Sequence, residues 1–190
     1  MALVESTMLP LGTPAPAFRL PEPATGKLVS LDDFATSRAV LVAFICNHCP
    51  YVQLIREELA RFGRDYLPRG LAVIAINAND ASTHPADSPE RMKDEVARFG
   101  YVFPYLHDAS QDVARAYHAA YTPDFFLFDA SRQLVYRGQF DDARPGNGIA
   151  PSGRDLRAAA DAVLAGLPVS TRQKPGIGCN IKWKADGAPA

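Results

Sequence analysis

Two stretches of the chain, residues 39–45 (Ala-Val-Leu-Val-Ala-Phe-Ile) and 71–76 (Leu-Ala-Val-Ile-Ala-Ile), are continuously apolar and of strand length. The absence of alternation predicts strands buried on both faces, as in a parallel sheet. Between them Val52, Ile55, Leu59, Phe62 and Tyr66 recur at spacings of three and four, the stripe of an amphipathic helix. Strand, helix and strand in that order make a βαβ unit with a right-handed crossover. Ser88 and Pro89 predict the N-cap and first turn of a second helix, which buries Met92, Val96 and Phe99 and stops at Gly100. Residues 103–107 read as a short strand and 111–118 as a short helix burying Val113 and Tyr117. Residues 125–128 (Phe-Phe-Leu-Phe) are a third apolar strand, and 134–140 form a hairpin with it. The last helix is predicted over residues 152–164, burying Leu156, Ala160 and Val163. Prolines 10, 14, 16, 21 and 23 exclude a helix before the first strand. The pattern is that of one α/β domain over residues 37–166, with an extended N-terminal arm (1–36) and a C-terminal tail (167–190).

Composition narrows the function classes. The 190 residues are 47% hydrophobic with net charge -1, and the 20 basic and 21 acidic side chains are interspersed. A basic stripe suited to nucleic acid is missing, and no apolar run approaches the ~20 residues that span a bilayer. Residues 1–16 lack the basic and apolar regions of a signal peptide, so a cytoplasmic location is expected. Three cysteines are too few for a secreted disulfide scaffold.

Two of those cysteines form Cys46-Asn-His-Cys49, between the first strand and the helix after it. Strand, C-x-x-C, helix is a redox context. Backbone N–H groups at a helix start favour an anion, so Cys46 is expected to be an exposed attacking thiolate. Its midpoint should fall below the ~8.5 of a free thiol, within the ~3.5–7.5 window of activated cysteines. Cys49, one turn on and more buried, is the resolving thiol. Two other readings stand beside this one. The pair could pack as inert small hydrophobes, or supply half of a zinc site, which wants four ligands. Only Cys179, His84, His107 and His118 remain as candidates and none repeats the pair, so no metal is expected. His48, directly before the second cysteine, either supports the thiolate or is an exposed residue without a role. Sites of open α/β sheets gather at the carboxyl ends of parallel strands, which puts Asn77, Asn79 and Asp80 on the rim, with Asn79 a candidate substrate contact. Arg144, in the loop 141–147, either binds an acidic group or a thiolate, or belongs to a solvated turn.

The element order, with C-x-x-C at the first helix, resembles the thioredoxin superfamily. Gly12-Thr-Pro-Ala-Pro-Ala-Phe18 and Leu20-Pro21 resemble the opening of its redoxin branch, which holds peroxiredoxins and thiol–disulfide oxidoreductases. Cys46-Asn-His-Cys-Pro-Tyr51, Thr122-Pro-Asp-Phe-Phe-Leu-Phe-Asp129 and Gly178-Cys-Asn-Ile-Lys-Trp-Lys184 resemble a group of bacterial redoxin-domain proteins. The resemblance implies a central mixed sheet with helices on both faces and an inserted strand–helix. It also implies that Pro123 is a cis-proline facing the C-x-x-C, with Thr122 beside it against a substrate chain and the 141–147 loop nearby. The implied activity is dithiol–disulfide exchange with protein or low-molecular-weight thiols, without a cofactor. Alternatives are a thiol peroxidase served by a thioredoxin-like reductant, and a non-catalytic redox-sensing module. The peroxiredoxin pattern P-x-x-x-T-x-x-C is not matched, because Ala39 and Ala43 stand at the Pro and Thr positions. The buried aspartate of a thioredoxin is also replaced, by Val40.

The tail carries Ile177, Cys179, Ile181 and Trp183 in alternation, which predicts one inward face of an extended segment docked on the domain. Packing is the expected role of Cys179. The other role, a second resolving thiol, requires a Cα within ~7 Å of a partner cysteine.

Overall fold

Odd and even positions of the first apolar run face two different cores. The computed structural model describes residues 3–185. Its strands and helices are, in chain order, β1 (Leu3–Glu5), β2 (Arg19–Glu22), β3 (Lys27–Ser30), β4 (Ala39–Phe44), α1 (Pro50–Tyr66), β5 (Leu71–Asn77), α2 (Pro89–Phe99) and β6 (Tyr105–His107), followed by α3 (Asp112–Ala116), β7 (Tyr121–Thr122), β8 (Asp124–Phe128), β9 (Leu134–Tyr136), α4 (Arg154–Leu164) and β10 (Ile177–Asn180). The central sheet has the order β6-β5-β4-β8-β9. Strands β4, β5 and β6 run parallel, while β8 and β9 are antiparallel to their neighbours. This is a thioredoxin-like α/β domain with a mixed sheet.

Ala39, Leu41 and Ala43 of β4 pack with Ile55, Leu59 and Phe62 of α1 and with Leu156 and Ala160 of α4. Val40, Val42 and Phe44 face the other way, toward Val113 and Ala114 of α3, Tyr117, and Phe18 and Leu20 from the arm. Strands covered on both faces have no polar side to alternate, hence the continuous runs. Among the described residues no helix is long and apolar enough to cross a membrane.

Several expected bounds shift. The strand expected over 103–107 begins at Tyr105, and the helix expected over 111–118 covers only Asp112–Ala116. Gln111 stands before that helix in the left-handed region at φ 67°, outside helical geometry. The hairpin strand stops at Tyr136. Gly138 follows, where a Cβ would press on the Tyr136 ring and the Lys174 carbonyl. The last helix starts at Arg154, after Gly153 at φ 66°.

The tail departs more. Strand β10 lies between β1 and β7 in a separate three-stranded sheet, pairing Cys179 with Leu3 on one side and Thr122 on the other. It ends at Asn180, and the chain then bonds to the loops: Ile181 N–H donates to Ala120 O (3.1 Å) and Asp80 N–H to Lys182 O (2.9 Å). The two-residue phase breaks there. Cys179 packs in the core of α1 and α4, while Ile181 and Trp183 pack on the opposite one, so the expected single face does not form.

A carboxyl is buried where the sheet approaches the site. Asp124, directly after Pro123, is 1% exposed and accepts from Ala120 N–H at 3.4 Å. Burial pushes its carboxyl up to about 7 from 3.8. Between those values the native state holds a proton that the unfolded chain has released, so this contribution to stability falls as pH rises from about 4 to about 7, by about 4 kcal/mol. Asp124→Asn is expected to remove that slope and to be the more stable protein at pH 8. Denaturant unfolding from pH 5 to 8 measures it, and an unchanged slope in the variant would refute the assignment.

Candidate active site

Strand β4 delivers Ile45 and Cys46 to the carboxyl edge of the sheet, and Pro50 opens α1 with Cys49 as its N-cap. The C-x-x-C thus straddles the junction, but the helix starts later than expected. Both sulfurs are buried, Cys46 at 1% exposure and Cys49 at 0%. The expected exposed Cys46 is corrected: its side chain lies under the Thr122 hydroxyl, 3.3 Å from Sγ. Cys49 Sγ, as a thiol, donates to the Thr122 carbonyl at 3.2 Å and sits 2.8 Å from Cys179 Sγ. All three cysteines are free thiols. The Thr122–Pro123 bond is cis.

The charge also falls elsewhere than expected. The Cys46 thiol is pushed well up from its ordinary value by its hydrogen bond to Cys49, by burial and by the Asp87 negative charge. Cys49 is pushed down to about 5, first by the hydrogen bond from Cys46, against the effect of burial, and then by bonds from Cys179, Thr122 and the Val52 N–H. Val52 is the third residue of α1, so one orphan N–H of the helix start favours charge on the N-cap residue's sulfur. Cys179 is pushed up to about 12 by burial and by its bond to Cys49.

Asp87 organises the loop that holds Cys46, and no pattern in the sequence marks it. Its carboxylate is fully buried and accepts from the Asn47 N–H (2.7 Å), His48 Nδ1 (2.6 Å) and Asn79 Nδ2 (2.8 Å). Burial opposes its ionisation, but the His48 and Asn79 bonds outweigh that and hold the carboxyl below the usual range. His48 Nδ1 is 4.0 Å from Cys46 Sγ, so the imidazole gives its N–H to Asp87 rather than to the sulfur. The ring stacks on His84 at 5.1 Å. Tyr105 Oη donates to Asn47 Oδ1 at 2.9 Å, fixing the other side of the loop. Cys46, His48 and Asp87 each bring one donor atom within 4.8 Å of the others. This sulfur, nitrogen and oxygen set is one that a zinc-type ion accepts, and here His48 is bonded to Asp87 with the Cys46 sulfur beside them.

Asn79 is 3% exposed, and its Oδ1 accepts from Lys182 N–H at 2.8 Å. It joins Asp87 to the tail beneath the rim where a substrate contact was expected. Asp80 caps its own turn through Ser82. Arg144 lies with Tyr51, Ile55, Pro123, Phe140 and Ile177 along one groove. Its guanidinium donates to the Asp141 and Ala143 carbonyls at 2.6 and 2.7 Å, which fixes it to its own loop.

Comparisons with known proteins show the family and the fold of the chain. A hypothetical protein of Sinorhizobium meliloti 1021 is 60% identical over 95% of this chain and 98% of its own, with a TM-score of 0.94. An uncharacterized conserved protein of Geobacillus kaustophilus is 52% identical over 97% and 98%, with a TM-score of 0.95. The thioredoxin domain of a thiol-disulfide oxidoreductase of Bacteroides vulgatus shares the fold at 21% identity, covering 68% of this chain and 88% of its own with a TM-score of 0.58. A search of curated proteins finds no match. The Redoxin family model matches residues 10–149, the span that holds Cys46, Cys49, Asp87 and Thr122, and the chain belongs to the Redoxin family.

Proposed function

We propose that this protein is a thiol–disulfide oxidoreductase whose exchanging pair is Cys46 and Cys49, working on protein or small-molecule disulfides in a reducing, cytoplasmic setting. The observation that carries the reading is the position of Thr122, whose hydroxyl contacts one sulfur and whose carbonyl contacts the other (3.3 and 3.2 Å). The two sulfurs share one wall, and with Cys49 ionised they share one proton. In the first displacement Cys46 Sγ attacks a substrate sulfur and passes its proton to Cys49. A mixed disulfide forms, and the departing thiolate takes that proton up and leaves as a thiol. Cys49, again a thiolate, attacks Cys46 Sγ, closes Cys46–Cys49 and releases the second substrate sulfur as a thiolate, which takes its proton from solvent. The substrate disulfide gains two electrons and the protein dithiol loses two. Pro123, Thr122 and the apolar groove ending at Arg144 receive the substrate, and His48 positions Asp87 and the Cys46 loop.

The charge beside Cys46 is the Asp87 carboxylate, which offers no donor to a peroxide oxygen. Turbidity of insulin in dithiothreitol should appear markedly earlier with the wild type and no earlier than background with Cys46→Ser. Oxidation of Cys46 by hydrogen peroxide should run at about the rate of free cysteine. Insulin reduction no faster than dithiothreitol alone would sink the reading, and rapid peroxide consumption would replace it with a peroxidase.

A further inference from the structure

We propose that Cys179 is a second resolving thiol, so that Cys49 is the middle sulfur of a three-thiol relay, an inference that rests on the oxidoreductase reading above. Carbon atoms in apolar packing meet at about 3.5–4.0 Å, yet the larger sulfur atoms of Cys49 and Cys179 are 2.8 Å apart. Both side chains are buried, with Cys179 at 1% exposure.

The tail is shaped to hold this contact. Strand β10 pairs Cys179 with Thr122, the residue that faces the other two sulfurs. A Cβ at Gly178 would overlap the Thr122 carbonyl, and one at Gly176 would overlap the Tyr121 hydroxyl. Only glycine at position 178 lets β10 lie this close to the β7 backbone. Packing a small hydrophobe would not require such an approach, because a larger side chain could fill a wider gap. The middle position of β10 between β1 and β7 then fixes it from both sides.

The relay step conserves electrons. After the Cys46–Cys49 bond has closed, Cys179 Sγ attacks Cys49 Sγ. The Cys49–Cys179 bond forms, the Cys46–Cys49 bond breaks, and the electron pair leaves on Cys46, which takes up the Cys179 proton. The disulfide moves from the C-x-x-C onto the tail, and Cys46 returns to the thiol state while the protein remains oxidised by two electrons.

Disulfide mapping tests this directly. Reduced protein is oxidised with one equivalent of diamide, quenched in acid, alkylated with N-ethylmaleimide and digested with trypsin. Residues 39–56 carry both Cys46 and Cys49, and residues 173–182 carry Cys179, so a tail bond appears as a cross-link between the two peptides. The expected product is that cross-link with one alkylated cysteine, at least as abundant as the internal loop. Cys46→Ser should still form it. Gly178→Ala, checked by circular dichroism for an intact fold, should lower the cross-link at least tenfold and keep the loop. A wild type that yields only the loop, with two free thiols in oxidised Cys46→Ser, overturns the relay. If insulin reduction is then normal, the oxidoreductase reading survives it. A cross-link without insulin reduction overturns that reading and leaves the relay standing.

Discussion

The first thiol of the reduced protein to ionise is expected to do so near pH 5 and to belong to Cys49. That is a displacement from 9.0 to about 5, or about ten-thousandfold in the ionisation constant. Thiolate absorbance at 240 nm, followed from pH 3 to 9, should show one sulfur titrating in this range. Cys49→Ala should abolish the step. Cys46→Ala should move it upward, because the Cys46 hydrogen bond is the largest influence lowering Cys49. Alkylation by iodoacetamide at pH 6 should mark Cys49 before Cys46 when the protein is locally opened by mild denaturant. The native state has released a proton that the unfolded chain still holds between these two values. Stability from Cys49 is therefore complete above pH 9 and lost as pH falls through about 5. A step that survives in Cys49→Ala would return the charge to Cys46.

Asp87→Ala is expected to lower stability by about 3–5 kcal/mol, the scale for removing one partner of a buried, hydrogen-bonded charge. The variant would strand the Asn47 N–H, the Asn79 amide and the His48 imidazole, all of which donate to this carboxylate. Asp87→Asn keeps an acceptor oxygen and should lose less. In both variants the Cys46 titration should fall, because the carboxylate charge that raises it is gone. Thermal unfolding and the 240 nm titration read the two effects separately. An Asp87→Ala protein as stable as wild type would show that the hydrogen bonds to Asp87 carry no weight.

Much of the frame was written in local pattern. Residues 39–45 and 71–76 had to be covered on both faces because nothing in them could face water, and the three-and-four spacing from Val52 to Tyr66 marked the side of α1 that covers one face. Asp87 was invisible for the opposite reason. An aspartate before Ser-Pro in a polar loop is an ordinary turn residue, and its burial is imposed by Asn47, 40 positions away. The misplaced charge came from the helix boundary. Pro50 is the N1 signal, and reading it strictly makes Cys49 the N-cap and leaves Cys46 outside the helix. The tail's phase failed where hydrogen bonds to Ala120 and Asp80 ended the strand. Those partners lie far away in sequence, so no window on residues 174–184 contains them.

The position of β10 also sets the order in which the molecule can be assembled. A ribosome presents β1 well before β7, but these strands do not pair directly, because β10 lies between them. Until residues 177–180 emerge, Leu3–Glu5 has no ladder partner and the edge of Tyr121–Thr122 stays open. Closing this sheet joins segments far apart along the chain, the slow, high-contact-order kind of step. The sheet that carries Thr122 and Cys179 therefore closes after the β4, α1 and β5 unit has been made. A nascent chain already able to form β4, α1 and β5 would still lack the wall against which its two cysteines rest.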